Sequence, residues 1–359
     1  MNNSQLAFWD VPVLSREVVE SALNTRKVEL LPLDSYDKIL IATSGGKDSL
    51  AGLLYFLNQG VPKEKIELWH QSIDGRPGFA TPFADWPVTE NYVRVMGEAL
   101  GIKVRFQWRD GGFLGELMRE DRMSLGVGFE TDLGIIELPT TQGSISTRRK
   151  FPAKAASLRT RWCSSNLKIE VFARALTNFP DFRGSIEQPI KILVFTGERR
   201  EESAARSKYA TTELHRCSTR TRIVHHWRSV IDFSEEDVWG IIEKWRIVPH
   251  PAYILGWSRT SCCCCVFSSP DHWAMLREVI PSHFNMWREK EIELEFNVDS
   301  KYSLQEMANR GSLRRLNKTA LASDWVEKAL NGNFTVDDFF TDKWELPAGA
   351  FGGNEGGAI

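Results

Sequence analysis

Lys38-Ile39-Leu40-Ile41-Ala42-Thr43-Ser44-Gly45-Gly46-Lys47-Asp48-Ser49-Leu50-Ala51-Gly52-Leu53-Leu54 is the stretch whose reading decides the fold. Ile39 to Ala42 is a short apolar run of the kind that forms a strand buried on both faces. Ser44 to Ser49 is a turn of small residues. From Leu50 the apolar residues recur at helical spacing through Tyr55 and Leu57. A strand, a glycine turn and a helix start together make an anion site. Glycines let the backbone approach closely, backbone N–H groups point outward, and the helix dipole adds positive potential. Lys47 adds a mobile cation, and Ser44 and Ser49 add hydroxyl donors. Asp48 is out of place in a pure anion cradle, and a carboxylate beside phosphates points to Mg²⁺ between them.

The turn is not a Walker A loop, because the glycine that motif needs five positions before Gly46-Lys47 is Ile41 here. Ser44-Gly45-Gly46-Lys47-Asp48-Ser49 instead resembles the pyrophosphate loop of the PP-loop ATP pyrophosphatases.

At 359 residues the chain is long enough for one large domain, or a core with a smaller one. Its 42% apolar and 26% charged content are those of a globular protein, and a net charge of -2 argues neither for nor against nucleic acid. No apolar run reaches membrane-span length. The start of the chain lacks a basic stretch followed by an apolar core, so no signal peptide is expected and the expected location is cytoplasmic. In that compartment the six cysteines read as thiols or metal ligands rather than disulfides.

Strand and helix signals alternate along the first half. Ile66 to Gln71 reads as a second strand, Thr89 to Leu100 as a helix closed by Gly101, and Val104 to Trp108 as a third strand. Ile190 to Phe195 is a strong buried strand, and Ile223 to His226 another. This alternation predicts an α/β fold with a doubly wound parallel sheet, ligands lying beyond the carboxyl ends of its strands. The loops after Ala42 and Ile73 should then share one cleft. Gly126, Gly128 and Gly134 mark an irregular insertion. Ser234, followed by Glu235, Glu236 and Asp237, should cap a helix to about Trp245. The expected organisation is a lead-in over 1–31, in which Ser15 caps a helix over Arg16 to Ala22, a nucleotide-binding domain over 32–267, a helical subdomain over 268–345, and a disordered glycine-rich tail over 346–359.

Three further clusters carry chemistry. Arg148, Arg149, Lys150, Lys154, Arg159, Arg161 and Lys168 crowd around Trp162-Cys163. They read either as a solvated charged face or as a site for phosphate, sulfate or a nucleic-acid backbone. Thr196-Gly197-Glu198-Arg199, with Glu202, Ser203 and Arg206, follows a buried strand. There Arg199 and Arg206 can grip a phosphate or sulfate. Cys262-Cys263-Cys264-Cys265 has an outer pair at Cys-x-x-Cys spacing, which lets two thiolates face one metal. Buried thiols without metal are the alternative, and spacing alone does not separate Zn²⁺ from iron–sulfur.

With these segments in this order, the chain resembles the phosphoadenosine-phosphosulfate reductase family of the PP-loop superfamily, whose fold is adenine nucleotide alpha hydrolase-like. The resemblance spans most of Ile39 to Phe267. True sulfate-assimilation reductases carry a C-terminal Cys-Gly-Leu-His element, and no cysteine follows Cys265 here. The resemblance is strongest to DNA phosphorothioation sulfur-transfer proteins and similar proteins of phage defence systems. It implies cleavage of ATP between its α and β phosphates to adenylate an acceptor, with Mg²⁺, and with a 4Fe–4S cluster ahead of Zn²⁺. On that basis Lys47, Asp48 and Arg199 are the catalytic candidates. Ser44, Gly45, Gly46, Ser49, Asp74, Gly197 and Arg206 hold nucleotide, and Cys163, Cys262 and Cys265 match cluster positions. The family's fourth cysteine has no counterpart after Phe267, which leaves Cys217, Cys263 or Cys264. The implied partners are a nucleotide, a nucleic acid or a sulfur-donor protein. A sulfonucleotide reductase and a nucleotide-binding component of a defence complex without turnover are the alternative functions.

Overall fold

The computed structural model describes residues 28–141, 143–155, 157–260 and 262–352. The expected lead-in helix at Arg16 to Ala22, with its cap at Ser15, lies outside the described residues.

β1 (Lys38–Thr43) runs into α1 (Lys47–Asn58). β2 (Ile66–Ser72), α2 (Thr89–Leu100), β3 (Lys103–Arg109) and α3 (Gly112–Leu117) follow. Then come β4 (Val127–Thr131), β5 (Gly134–Leu138) and α4 (Glu170–Asn178), the last entered through a π-helical turn at Ser165–Ile169. β6 (Ile190–Phe195), β7 (Thr212–Leu214) and β8 (Arg222–Trp227) complete the sheet. Its strand order is β5-β4-β3-β2-β1-β6-β8-β7. β3, β2, β1, β6 and β8 are parallel, and the strands at both edges are antiparallel.

Ile39, Leu40 and Ile41 are all fully buried. Ile39 and Ile41 face the core beneath α1 and α2, and Leu40 faces the one beneath α4. Helices therefore cover both faces, which explains the unbroken apolar run of β1. The chain winds outward from β1 in both directions, so the ends of β1 and β6 form a topological switch point, where such sheets bind ligands.

The insertion expected to be irregular is instead the β4–β5 hairpin, with Gly134 (φ +116°) closing its turn. Its glycines read as breakers in one dimension. In three, a side chain at Gly128 would lie 2.4 Å from the Trp108 indole of the neighbouring strand. Glycine there lets the strands pair rather than ending one.

α5 (Glu235–Lys244) starts at Ser234 in a reciprocal capping box with Asp237, as the sequence predicts. α6 (Pro251–Leu255) begins with Pro251 in its first turn, capped by His250. α7 (Pro270–Val279), α8 (Pro281–Leu294) and α9 (Leu304–Arg310) follow. They share one continuous core with the sheet domain, Trp287 stacking on Phe83 at 5.4 Å. The expected tail also packs at its start. Gly349 N–H donates to Tyr253 O at 2.9 Å, and a side chain at Gly349 would lie 1.9 Å from Trp257 O. Residues 353–359 lie outside the described set. No helix among the described residues is long and apolar enough to cross a membrane.

Candidate functional site

A cleft of about 340 Å³ opens at the switch point. Ser44, Gly46, Lys47, Asp48 and Ser49 line one side, and Thr196, Gly197, Glu198, Arg199 and Arg206 the other. The loops after β1 and β2 meet in it as expected, since Ala42 and Ile73 both line it.

The turn is built for this position. Gly45 has φ +73° and donates its N–H to Thr43 Oγ1 at 3.1 Å. Ser49 Oγ donates to Gly46 O at 2.9 Å and lies 3.0 Å from Thr43 Oγ1. A side chain at Gly46 would crowd Thr260 Oγ1 at 3.2 Å, and one at Gly197 would come within 2.9 Å of the Asp48–Ser49 backbone. Glycine at 197 therefore lets the β6 loop close onto the first turn of α1. Gly45 itself shapes the turn and does not line the cleft.

Charge is concentrated at the junction. Arg199 Nε lies 2.6 Å from Asp48 Oδ1, and Lys47 Nζ lies 3.5 Å from Asp48 Oδ2 and 3.8 Å from Glu235. Arg199 also pairs with Glu201, and Arg206 with Glu202. Burial works against the Lys47 ammonium, but Asp48, Tyr253 and Glu235 outweigh it and raise its pKa. Burial likewise opposes the Asp48 carboxylate, and Lys47 and Arg199 prevail, lowering its pKa. The triad is thus held fully charged. Asp85, also on the cleft, is the opposite case: burial, reinforced by nearby Asp74, pushes it up to about 8.

Asp74 does not reach the cleft. Its carboxylate accepts backbone N–H groups from Phe83, Ala84 and Asp85 at 2.9–3.1 Å and pins the loop after β2. Position after a strand marked Asp74 as a ligand contact, whereas its partners make it a loop anchor. Glu235, Tyr253 and Thr260, which come from distant elements, line the cleft without any local signal in the sequence.

The cysteines divide cleanly. Cys163, Cys262 and Cys265 are partly exposed, while Cys217, Cys263 and Cys264 are buried. The first three line a second cavity together with Lys168. Burial opposes the Lys168 ammonium, and Cys262, Asp85, Cys163 and Cys265 raise its pKa nonetheless. Cys263 Sγ donates to Asp85 O at 3.1 Å. Cys217 sits in the core beneath α4, away from the others. Of the three alternatives for a fourth ligand, Cys264 alone lines the cavity. Among the described residues no group of three or more His, Cys, Asp or Glu side chains is placed to hold a metal ion.

Two members of the basic patch make internal pairs. Arg148 lies over the Trp162 ring at 4.6 Å and 3.3 Å from Glu116, and Arg149 pairs with Glu120 at 3.1 Å. Lys168 is the member that reaches the cleft.

No protein-family model matches the chain. It is 25% identical over 244 residues to an uncharacterized 37.8 kDa protein of Escherichia phage 186, covering 63% of this chain and 66% of that protein. Among solved structures, Candida glabrata FMN adenylyltransferase with ATP aligns at TM-score 0.35 and 10% identity, over 63% of this chain and 54% of that one. The same enzyme with FMN and AMPCPP aligns at TM-score 0.33 and 10% identity, over 62% and 54%. At those values the likeness bears on neither activity nor substrate.

Proposed function

We propose that the protein binds ATP in the switch-point cleft and cleaves it between the α and β phosphates, transferring the adenylyl group to an acceptor. The supporting observation is the meeting of Lys47, Asp48 and Arg199 where the glycine turn enters α1. Gly46, Ser44 and Ser49 hold the leaving pyrophosphate at the helix start. Lys47 and Arg199 stabilise the charge that develops on it, with phosphate oxygens competing against Glu201 and Glu235 for these cations. One carboxylate plus substrate phosphates is an ordinary Mg²⁺ donor set, and Asp48 supplies that carboxylate. Mg²⁺, when bound, neutralises the pyrophosphate. Arg206 guides the nucleotide or acceptor phosphate from the opposite wall.

The finer reading is sulfur transfer serving nucleic-acid modification or phage defence. It rests on the resemblance and on the three thiols that share one cavity wall. Cys163, Cys262 and Cys265 are the residues that would hold a 4Fe–4S cluster, with Cys264 as the remaining donor on that wall. Such a cluster supplies electron or sulfur chemistry when bound.

The test is pyrophosphate release from ATP and Mg²⁺. Asp48→Ala is expected to lose it by about 1000-fold or more. Equal turnover in wild type and variant would overturn the reading. Iron and acid-labile sulfide content after oxygen-free purification tests the cysteine assignment. A protein that carries neither removes the cluster from the reading.

A further inference from the structure

Behind the cleft lies the second cavity, of about 660 Å³, a volume in the range of small-molecule sites. The two spaces share wall residues, among them Ala42, Gln71, Lys168, Thr196 and Arg206. Leu167, Phe172, Val194 and Leu214 give the cavity an apolar wall. It also has a polar wall, which reaches the cleft at Thr196 and Glu198. The β7–β8 register sets Glu213 opposite His226, and His226 Nδ1 lies 3.0 Å from Glu213 Oε1. On its other side His226 Nε2 lies 2.6 Å from Thr196 Oγ1, and the Thr196 hydroxyl bonds Glu198. Thr196 lines both the cleft and the cavity.

Three hydrogen bonds in series thus join two carboxylates through an imidazole and a hydroxyl. Each bond needs one proton. Thr196 supplies one and a neutral imidazole supplies one, so the neutral chain is one proton short. Taking up a proton completes it. The surroundings maintain the carboxylate end: the Glu213 carboxyl is held down at about 2, first by its hydrogen bond to His226 and then by Arg228. Arg228 Nη2 lies 2.7 Å from Glu213, and its Nε lies 3.5 Å from Glu198. His215, with its ring 6.1 Å from that of His226, is kept neutral by burial, at about 3. Arg206, Lys168 and Tyr209 also face the cavity.

We propose that this cavity binds the acceptor, a small molecule with an apolar body and one protonated nucleophile, and that the Glu213–His226–Thr196 chain takes that nucleophile's proton. The inference rests on the ATP-cleaving reading of the adjoining cleft and not on the sulfur-transfer reading, whose cysteines line the same cavity. In the step, an acceptor lone pair forms a bond to the α-phosphorus. The bond from that phosphorus to the α–β bridging oxygen breaks, and its electron pair leaves with pyrophosphate. The acceptor proton passes to Thr196 Oγ1 as the Thr196 proton moves to His226 Nε2.

Two measurements test it. The first is pyrophosphate release with water as acceptor, followed against pH. Wild type is expected to lose rate as pH falls and the chain becomes fully protonated. His226→Gln should be slower by about 100-fold and lack that acid limb. Glu213→Gln should move the limb to lower pH, because the imidazolium loses its carboxylate partner. The same rate and limb in all three proteins overturns the base. The second is fluorescence of 8-anilinonaphthalene-1-sulfonate, an apolar anionic probe. Enhancement in wild type that is lost in Leu214→Trp, and in Ile169→Trp at a 40% exposed lining position, supports the cavity as a binding site. No enhancement, or equal enhancement in wild type and Ile169→Trp, overturns it. Wild type that releases no pyrophosphate overturns the reading of the cleft and the base together, while the probe decides the cavity by itself.

Discussion

The switch-point cleft and the cavity beside it share a wall but are assembled in opposite ways. The cleft takes its charged groups mainly from two contiguous segments, 44–49 and 196–206, each directly after a central strand. The cavity draws on the turn into α4, on β6, β7 and β8, and on the cysteine turn, with no segment dominating. In the first, backbone geometry makes the site, and a short motif is enough to write it. In the second, side chains from distant elements make it, and each was free to be chosen for packing alone. A local site should therefore fail at single residues, whereas a dispersed one should tolerate change at its rim.

The sharpest test of that contrast exchanges arginines. Arg199, 3% exposed, touches Asp48 and Glu201, so Arg199→Met should cut pyrophosphate release by at least about 100-fold. Arg216 lines the cavity and donates to Ile169 O at its exposed edge, and Arg216→Met should leave the rate within about twofold. Equal losses would dissolve the distinction.

Acidification reaches both regions through buried histidines. Burial holds His70 at about 4 and His250 at about 3 beneath the glycine turn, and His215 at about 3 beside the cavity. Each binds its proton more readily in the unfolded chain, near pH 6.5, so stability is full above that value and falls as pH drops toward the folded pKa. Urea denaturation at pH 5 against pH 7 should show a loss of about 2 kcal/mol for each of the three. Stability equal at both values would mean that these rings are not buried neutral.

Gly52 sharpens the comparison on the side of the local site. A side chain there would lie 1.9 Å from the Phe195 ring, so Gly52→Ala should cost about 1–3 kcal/mol by overpacking α1 against β6. Thermal denaturation reads it, and an unchanged midpoint would show that β6 yields freely. The smallest effect is expected at Cys217, buried beneath α4 and away from the other thiols. Cys217→Ala should cost about 1 kcal/mol and leave metal content and pyrophosphate release as they are. A fall in metal content would break the separation of Cys217 from the cavity-lining cysteines.

Ser44 to Ser49 and the strands flanking it were legible because strand, turn and helix start are local patterns. Apolar residues on both sides of β1, a glycine at φ +73° and the Ser234 cap each act within a few residues. Asp74 shows where such reading stops. Its place after a strand pointed to the nucleotide, and only the fold shows its carboxylate turned to the N–H groups of residues 83–85.

By itself, the sequence determined the α/β class, the position of the glycine turn and the first turn of α1, because short-range sterics and hydrogen bonding dictate these. Tertiary structure alone decided which glycines permit strand pairing and which cysteines face a common space. It also decided that Thr196, Glu213 and His226 stand in one hydrogen-bonded line. Those outcomes depend on strand order and register, which bring together residues 30 and 13 positions apart in the chain, and no local pattern encodes that distance.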